Sequence, residues 1–149
     1  MSKKIVCIGV ALLMCLGLFS ACGKNDDEID FAIGYQGVGF GQDRKSVIKT
    51  FEEWDVLRPD HAMITELDKY NEAFFANKAL ILYTFGASGD YAPEFSVKKL
   101  VLTNGTLTIN LTQDEMTSGL AYFSITILIE ISQKDVSNVA NIETNVTIK

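Results

Sequence analysis

Few side chains in this 149-residue chain have the type and spacing that chemistry needs. Cys22 is the best placed: its thiol follows the small residues Ser20 and Ala21 at the end of an apolar run, where a sulfur nucleophile can be alkylated at a membrane surface. His61 is the only histidine, so any Ser-His-Asp or Cys-His scheme would pass through it, and it stands beside Pro59 and Asp60 in a predicted turn. Ser88, in Gly86-Ala87-Ser88-Gly89, has neither the G-x-S-x-G spacing nor the strand-turn-helix setting of a nucleophile elbow. Glu52 and Glu53 are neighbours on a predicted helix and point apart, while Asp114 and Glu115 fall in a predicted loop, so neither pair forms an acid and base couple. One histidine and scattered carboxylates make no metal set. The expectation is a protein without enzymatic activity, metal or cofactor.

Two other runs invite chemistry and are read otherwise. Gly37, Gly39 and Gly41 are spaced like part of a phosphate-binding loop, but Val38 and Phe40 fill the gaps and no helix pattern follows, so a bulged strand end or turn is expected. Asp26, Asp27, Glu28 and Asp30 do not match the spacing of a calcium loop and read as a solvated acidic linker.

The segment before Cys22 fixes the compartment. Lys3 and Lys4 form a cationic start, residues 5–18 form an apolar stretch broken only by Gly9 and Gly17, and Ser20-Ala21-Cys22 closes it. This order resembles the lipobox of bacterial lipoproteins, in which the cysteine receives diacylglycerol, the peptide is cut just before it and the new amino terminus is acylated, commonly with palmitate. The resemblance implies a signal peptide at 1–21, lipid on Cys22 and a cell-envelope protein on the extracytoplasmic face of a cell membrane; acylation at more than one point gives stable anchoring. Two rivals stand beside it. An ordinary secretory cut after Ala21 would put the bulky Phe19 where a small residue is wanted, and a retained anchor would have to cross with fewer than the ~20 apolar residues that a spanning helix needs.

Removal of 1–21 takes Lys3 and Lys4 with it, leaving 11 of the 13 basic residues against 19 acidic ones, a formal charge of −8. A domain so acidic is not expected to bind nucleic acid, or an anionic bilayer through charge. Cys7 and Cys15 lie in the leader and Cys22 is committed to lipid, so the domain has no disulfide and must be held by an apolar core. Residues 22–28 read as the lipidated cysteine and a short acidic tether, and residues 29–149 as one globular domain.

The elements that position everything else follow from hydrophobic period. Residues 29–35 alternate Ile29, Phe31, Ile33, Tyr35 against Asp30, Ala32, Gly34, as a half-buried strand does. A short strand over 45–49 precedes Thr50-Phe51-Glu52-Glu53, a capping box that opens a helix through Leu57, ended by Arg58-Pro59. Residues 60–79 lean helical, with Tyr70, Phe74 and Phe75 at helical spacing. A continuous apolar run, 80–85, predicts a strand, and 86–90 a turn. Asn104-Gly105 predicts a two-residue hairpin, with Leu102 opposite Leu107 and Leu100 opposite Ile109 on its oily face. Phe123, Ile125, Ile127, Ile129 and Ile131 predict a long strand at the sheet centre, and 144–148 a short edge strand. The fold class is α+β: a mainly antiparallel sheet of about five to seven strands, with one or two short helices on one face.

Tyr70-Asn71-Glu72-Ala73-Phe74-Phe75, then Lys78-Ala79-Leu80-Ile81-Leu82, and later Ile129-Glu130-Ile131-Ser132-Gln133-Lys134-Asp135-Val136 are similar to small lipoproteins of Gram-positive bacteria. The pattern, over about residues 47–136, resembles the C-terminal domain of protease-complex accessory lipoproteins (PrcB-like); it departs in the acidic, glycine-rich first strand and in having one domain. The resemblance implies a β-rich fold and a partner-stabilising role at the cell surface, with no active site to carry over. The expected function is therefore protein binding: a lipid-anchored accessory module for another envelope protein. Tyr35, Phe40, Trp54 and Tyr91 are the candidate contact residues if exposed together. Capture of a small ligand or peptide is the second reading, and a hydrolase working through His61 the third. Replacing Cys22 by alanine is expected to move the protein from the membrane fraction of broken cells to the soluble fraction; retention would favour a spanning anchor.

Overall fold

The computed structural model describes residues 27–39, 42–58, 64–115 and 118–149. The leader, Cys22 and the tether up to residue 26 lie outside the described residues, as do Phe40, Gly41 and His61. The described chain runs β1 (Glu28–Ile29), β2 (Phe31–Val38), β3 (Arg44–Ile48), α1 (Phe51–Leu57), α2 (Glu72–Phe75), β4 (Lys78–Gly89), β5 (Phe95–Thr103), β6 (Thr106–Gln113), β7 (Ala121–Ser132) and β8 (Asn141–Ile148), with 3-10 turns at Thr65–Leu67 and Gln133–Val136. The α+β class with a mainly antiparallel sheet and short helices holds.

The strands make two sheets, not one. One has the order β1-β5-β6-β8 and the other β2-β7-β4-β3. Their facing sides share a core in which Leu100, Leu107, Ile109 and Leu111 meet Ile81, Tyr83, Ile125, Ile127 and Ile129. The second sheet is apolar on its other side too, where Leu80, Leu82 and Leu128 pack against Ile48, Trp54, Leu67, Tyr70 and Phe75. A strand buried on both faces shows no alternation, which is why the run at 80–85 reads as continuous. The layers are sheet, sheet, helices. All pairings are antiparallel except β6 with β8.

Local rules placed several elements. Thr50 caps α1 as predicted: its side chain accepts from the Glu53 N–H, and the Glu53 carboxylate accepts from the Thr50 N–H. Asn104 and Gly105 have φ of 51° and 79°, the left-handed pair that a type I′ turn requires. The hairpin register is the expected one, Leu102 opposite Leu107 and Leu100 opposite Ile109. β7 is central and β8 is an edge, although β8 starts at Asn141, earlier than expected, because Ala140 and Asn141 both donate to the Gly105 carbonyl and begin the ladder there.

Three expectations are corrected. The alternating run at 29–35 is two strands: Glu28–Ile29 pairs with β5 in one sheet, and Phe31–Val38 with β7 in the other. An unbroken period of two does not reveal a strand that changes sheets, and Ile33 ends up 42% exposed at the new edge. Gly34 is the extra residue of a bulge between Ile33 and Tyr35; a Cβ there would come within 1.8 Å of the Tyr70 hydroxyl. Residues 86–89 continue β4 as a strand, because Ala121 to Ser124 of β7 extend far enough to pair with them. The helix-leaning stretch at 60–79 gives only a 3-10 turn and the single turn of α2 among its described residues; tertiary packing of Leu67, Tyr70 and Phe75 took precedence over helical propensity. Because adjacent residues of β7 point into different cores, Leu128→Ala and Ile129→Ala should each lower unfolding stability by about 2–5 kcal/mol in urea titration. A sheet covered on one side would give one large loss and one small.

Candidate interaction surface

One charged residue organises the outer face of the second sheet. Glu130 lies in β7 between Ile129 and Ile131, with its side chain 10% exposed. Its Oε1 accepts from the Tyr70 hydroxyl at 3.2 Å and pairs with Lys69 Nζ at 2.7 Å, and its Oε2 accepts from Lys78 Nζ at 3.0 Å. Lys69 also donates to the Gly34 carbonyl. Tyr70 joins this cluster to the aromatic layer through edge contacts with Trp54 and Phe74. Burial pushes the Tyr70 phenol far above its ordinary range, and the charge of Glu130 adds to this. For Glu130, burial acts upward, but the hydrogen bonds and charges of Lys69 and Lys78 outweigh it and hold the carboxyl below its usual value. A depression of about 430 Å³ beside this cluster is lined by charges of both signs, including Lys78, Lys134, Asp30 and Asp135.

The two ends of the sandwich differ. At one end Asp27 accepts from the Leu102 N–H, next to the Asn104-Gly105 turn, so the chain that precedes the domain enters there. At the other end Ser88 pairs with Tyr122 and Gly89 with Ala121. Tyr91, Leu120 and Tyr122 are exposed there; Val38, also exposed, pairs with Ile125 and so lies on the other face of the sheet from Tyr122. Asp90, Glu94, Asp114 and Glu115 are exposed in the connections at the same end, where the Asp114 N–H donates to the Glu94 carbonyl. The described residues thus place exposed apolar side chains and exposed carboxylates at the end away from the entry point.

The third surface is the side where both sheets end. β3 and β8 are neighbours across the sandwich: Lys45 Nζ donates to Thr144 Oγ1 at 3.1 Å. Burial raises the Tyr83 phenol, and its hydrogen bond with Thr144 acts against that rise. The side chains of β3 and β4 therefore hold the inner face of β8 at its midpoint.

The expected contact residues do not form one patch. Trp54 is 1% exposed and lies in the core under α1, so it offers no surface. Tyr35 is half-buried on the aromatic layer and its hydroxyl donates to the Val38 carbonyl. Tyr91 is exposed at the far end, and Phe40 lies outside the described residues. Glu52 and Glu53 are exposed on α1, Glu53 serving the cap, while Ser88 is exposed in β4 opposite Tyr122. No group of three or more His, Cys, Asp or Glu residues among the described residues is arranged to hold a metal, and no described helix is long and apolar enough to cross a membrane. Sequence reasoning passed over Glu130, although a carboxylate inside an isoleucine run requires partners. It also passed over Tyr122, which lies in phase with the outward Ser124.

Comparison of the chain with protein-family models, with curated proteins and with solved structures finds no match. A carboxyl held below its unfolded value, near 4.3, contributes stability that is complete above that pH and is lost as pH falls through the lower folded value. The unfolding midpoint of the native chain should therefore fall more steeply below about pH 4.3 than that of Glu130→Gln, measured by thermal melts across the acid range.

Proposed function

We propose that this chain is a membrane-anchored extracytoplasmic lipoprotein whose single domain binds and stabilises another protein of the cell envelope. The observation that carries the reading is the exposure of Tyr91, Leu120 and Tyr122 at the end of the sandwich opposite Asp27. A chain anchored through Cys22 and a few tether residues holds its entry end close to the bilayer, since those residues span only about 3.5 Å each. The far end then faces outward, and large apolar side chains left in water at one place mark a contact surface. The exposed carboxylates of Asp90, Glu94, Asp114 and Glu115 at the same end suit a partner that presents basic as well as apolar side chains. The same role is what a resemblance of residues 47–136 to accessory lipoproteins of protease complexes implies.

In-cell crosslinking of the full-length protein, followed by purification and mass spectrometry, tests this. One envelope protein is expected in near-stoichiometric amount from the native chain, in much lower amount from Cys22→Ala, and about tenfold less from a Tyr91→Ala, Tyr122→Ala double variant, the loss expected when two aromatic contacts go. An unchanged yield from the double variant would move the contact surface elsewhere, and no recovered partner would end the accessory reading.

A further inference from the structure

The two free sheet edges on the third surface are not equivalent. β3 is five residues long and carries Arg44 and Lys45, charges of the kind that blunt an edge. β8 runs for eight residues, Asn141–Ile148, with Glu143 as its one charge, no proline or glycine, and an unbroken register against β6. Among the described residues, no strand pairs with its outer edge.

The ladder shows which backbone groups that edge presents. The Asn141 N–H donates to the Gly105 carbonyl and the Lys149 N–H to the Gln113 carbonyl, so odd-numbered residues of β8 aim their groups at β6. Ile142, Thr144, Val146 and Ile148 therefore turn theirs outward. The same residues place their side chains on the inner face, opposite Leu107, Ile109, Leu111 and Gln113. β3 covers only the first half of that face, since it begins at Arg44 and Lys45 already reaches Thr144. Val146 and Ile148 overhang it, 46% and 60% exposed.

We propose that β8 pairs antiparallel with β8 of a second copy of this chain, about a twofold axis at Asn145. In that register Ile142 exchanges hydrogen bonds with Ile148 of the second copy and Thr144 with its Val146, so every outward group of β8 is used. The overhanging residues of each copy come to lie beside the covered residues of the other. On the outer face, Glu143 stands diagonal to Lys149 of the second copy, an attractive pair within reach of long side chains. A second copy is the occupant because the strand is its own complement, overhanging half against covered half and acid against base. The contact is isologous and closes at two. It uses a different surface from the partner contact and does not depend on the lipid anchor.

The test is disulfide trapping in the full-length protein, extracted in detergent. Asn145 would face its own copy at a non-hydrogen-bonded position, where Cα atoms stand about 4.5 Å apart, within the range a disulfide bridges. On brief oxidation Asn145→Cys should give about tenfold more linked dimer than Lys99→Cys, a position on the exposed face of β5, or than the native chain with its own cysteines. Adding Val146→Pro removes an outward N–H and sets a ring in the path of the second copy, while every bond to β6 survives; the dimer should fall to the Lys99→Cys level. Val146→Lys, which keeps the backbone intact, should do the same. The thermal midpoint of Val146→Pro should stay within about 3 °C of native, whereas Asn145→Pro, which deletes an amide aimed at β6, should lower it further. Equal trapping at Asn145→Cys and Lys99→Cys, or a dimer that survives both Val146 variants, would overturn the pairing.

Discussion

Strands β4 and β7 lie between two apolar layers, and this two-sided burial is the constraint that the other elements obey. Ile127, Leu128 and Ile129 are consecutive and all fully buried, so each side of the sheet must be covered by something. The hairpin of β5 and β6 covers one side. The short helical segments cover the other. Each large aliphatic side chain so buried contributes about 1.5–3 kcal/mol, and that sum is what a domain without disulfides has to rely on. The helical segments are too short to be stable alone; their aromatic side chains hold them because Leu80, Leu82 and Leu128 present an apolar floor.

Apolar contact fixes the layers but not their orientation, and Glu130 supplies the orientation. A carboxylate in the middle of an isoleucine strand is tolerated only with close partners. Lys78 comes from the adjacent strand, Lys69 and Tyr70 from the helical layer, and the bulge at Gly34 removes the Cβ that would occupy the Tyr70 hydroxyl's place. Gln133 ties the same region from below, donating to the carbonyls of Lys49 and Phe75. The helical layer is therefore fixed to β7, β4 and the end of β3 by directional bonds as well as by packing.

What the sequence disclosed follows from how local each signal is. The capping box at Thr50 and the Asn104-Gly105 turn depend on four or fewer neighbouring residues, so both could be read directly. The central position of β7 was legible because five alternating large residues need burial. The division of 29–35 between two sheets was not, since Ile29 and Phe31 have the same phase whichever sheet they join. Trp54, a candidate contact residue if exposed, is in the core; an amphipathic helix of seven residues does not say what stands on its apolar side. The exposed group around Tyr122 depends on where β4 and β7 stop, and strand ends are set by pairing, which no short pattern encodes.

The change of sheet at Asp30 also bears on how the domain carries force. A pull that reaches the chain through Asp27 runs along the strand axis, and antiparallel ladder bonds stand across that axis, so they are loaded together in shear. The load meets β1 first, with two residues paired, and only then β2, with seven. The weaker ladder stands in series ahead of the stronger one. Releasing β1 frees roughly 10 Å of chain while β2, β7 and both apolar layers stay in place. The entry strand is thus an extensible link, able to lengthen under tension before the body of the domain is strained.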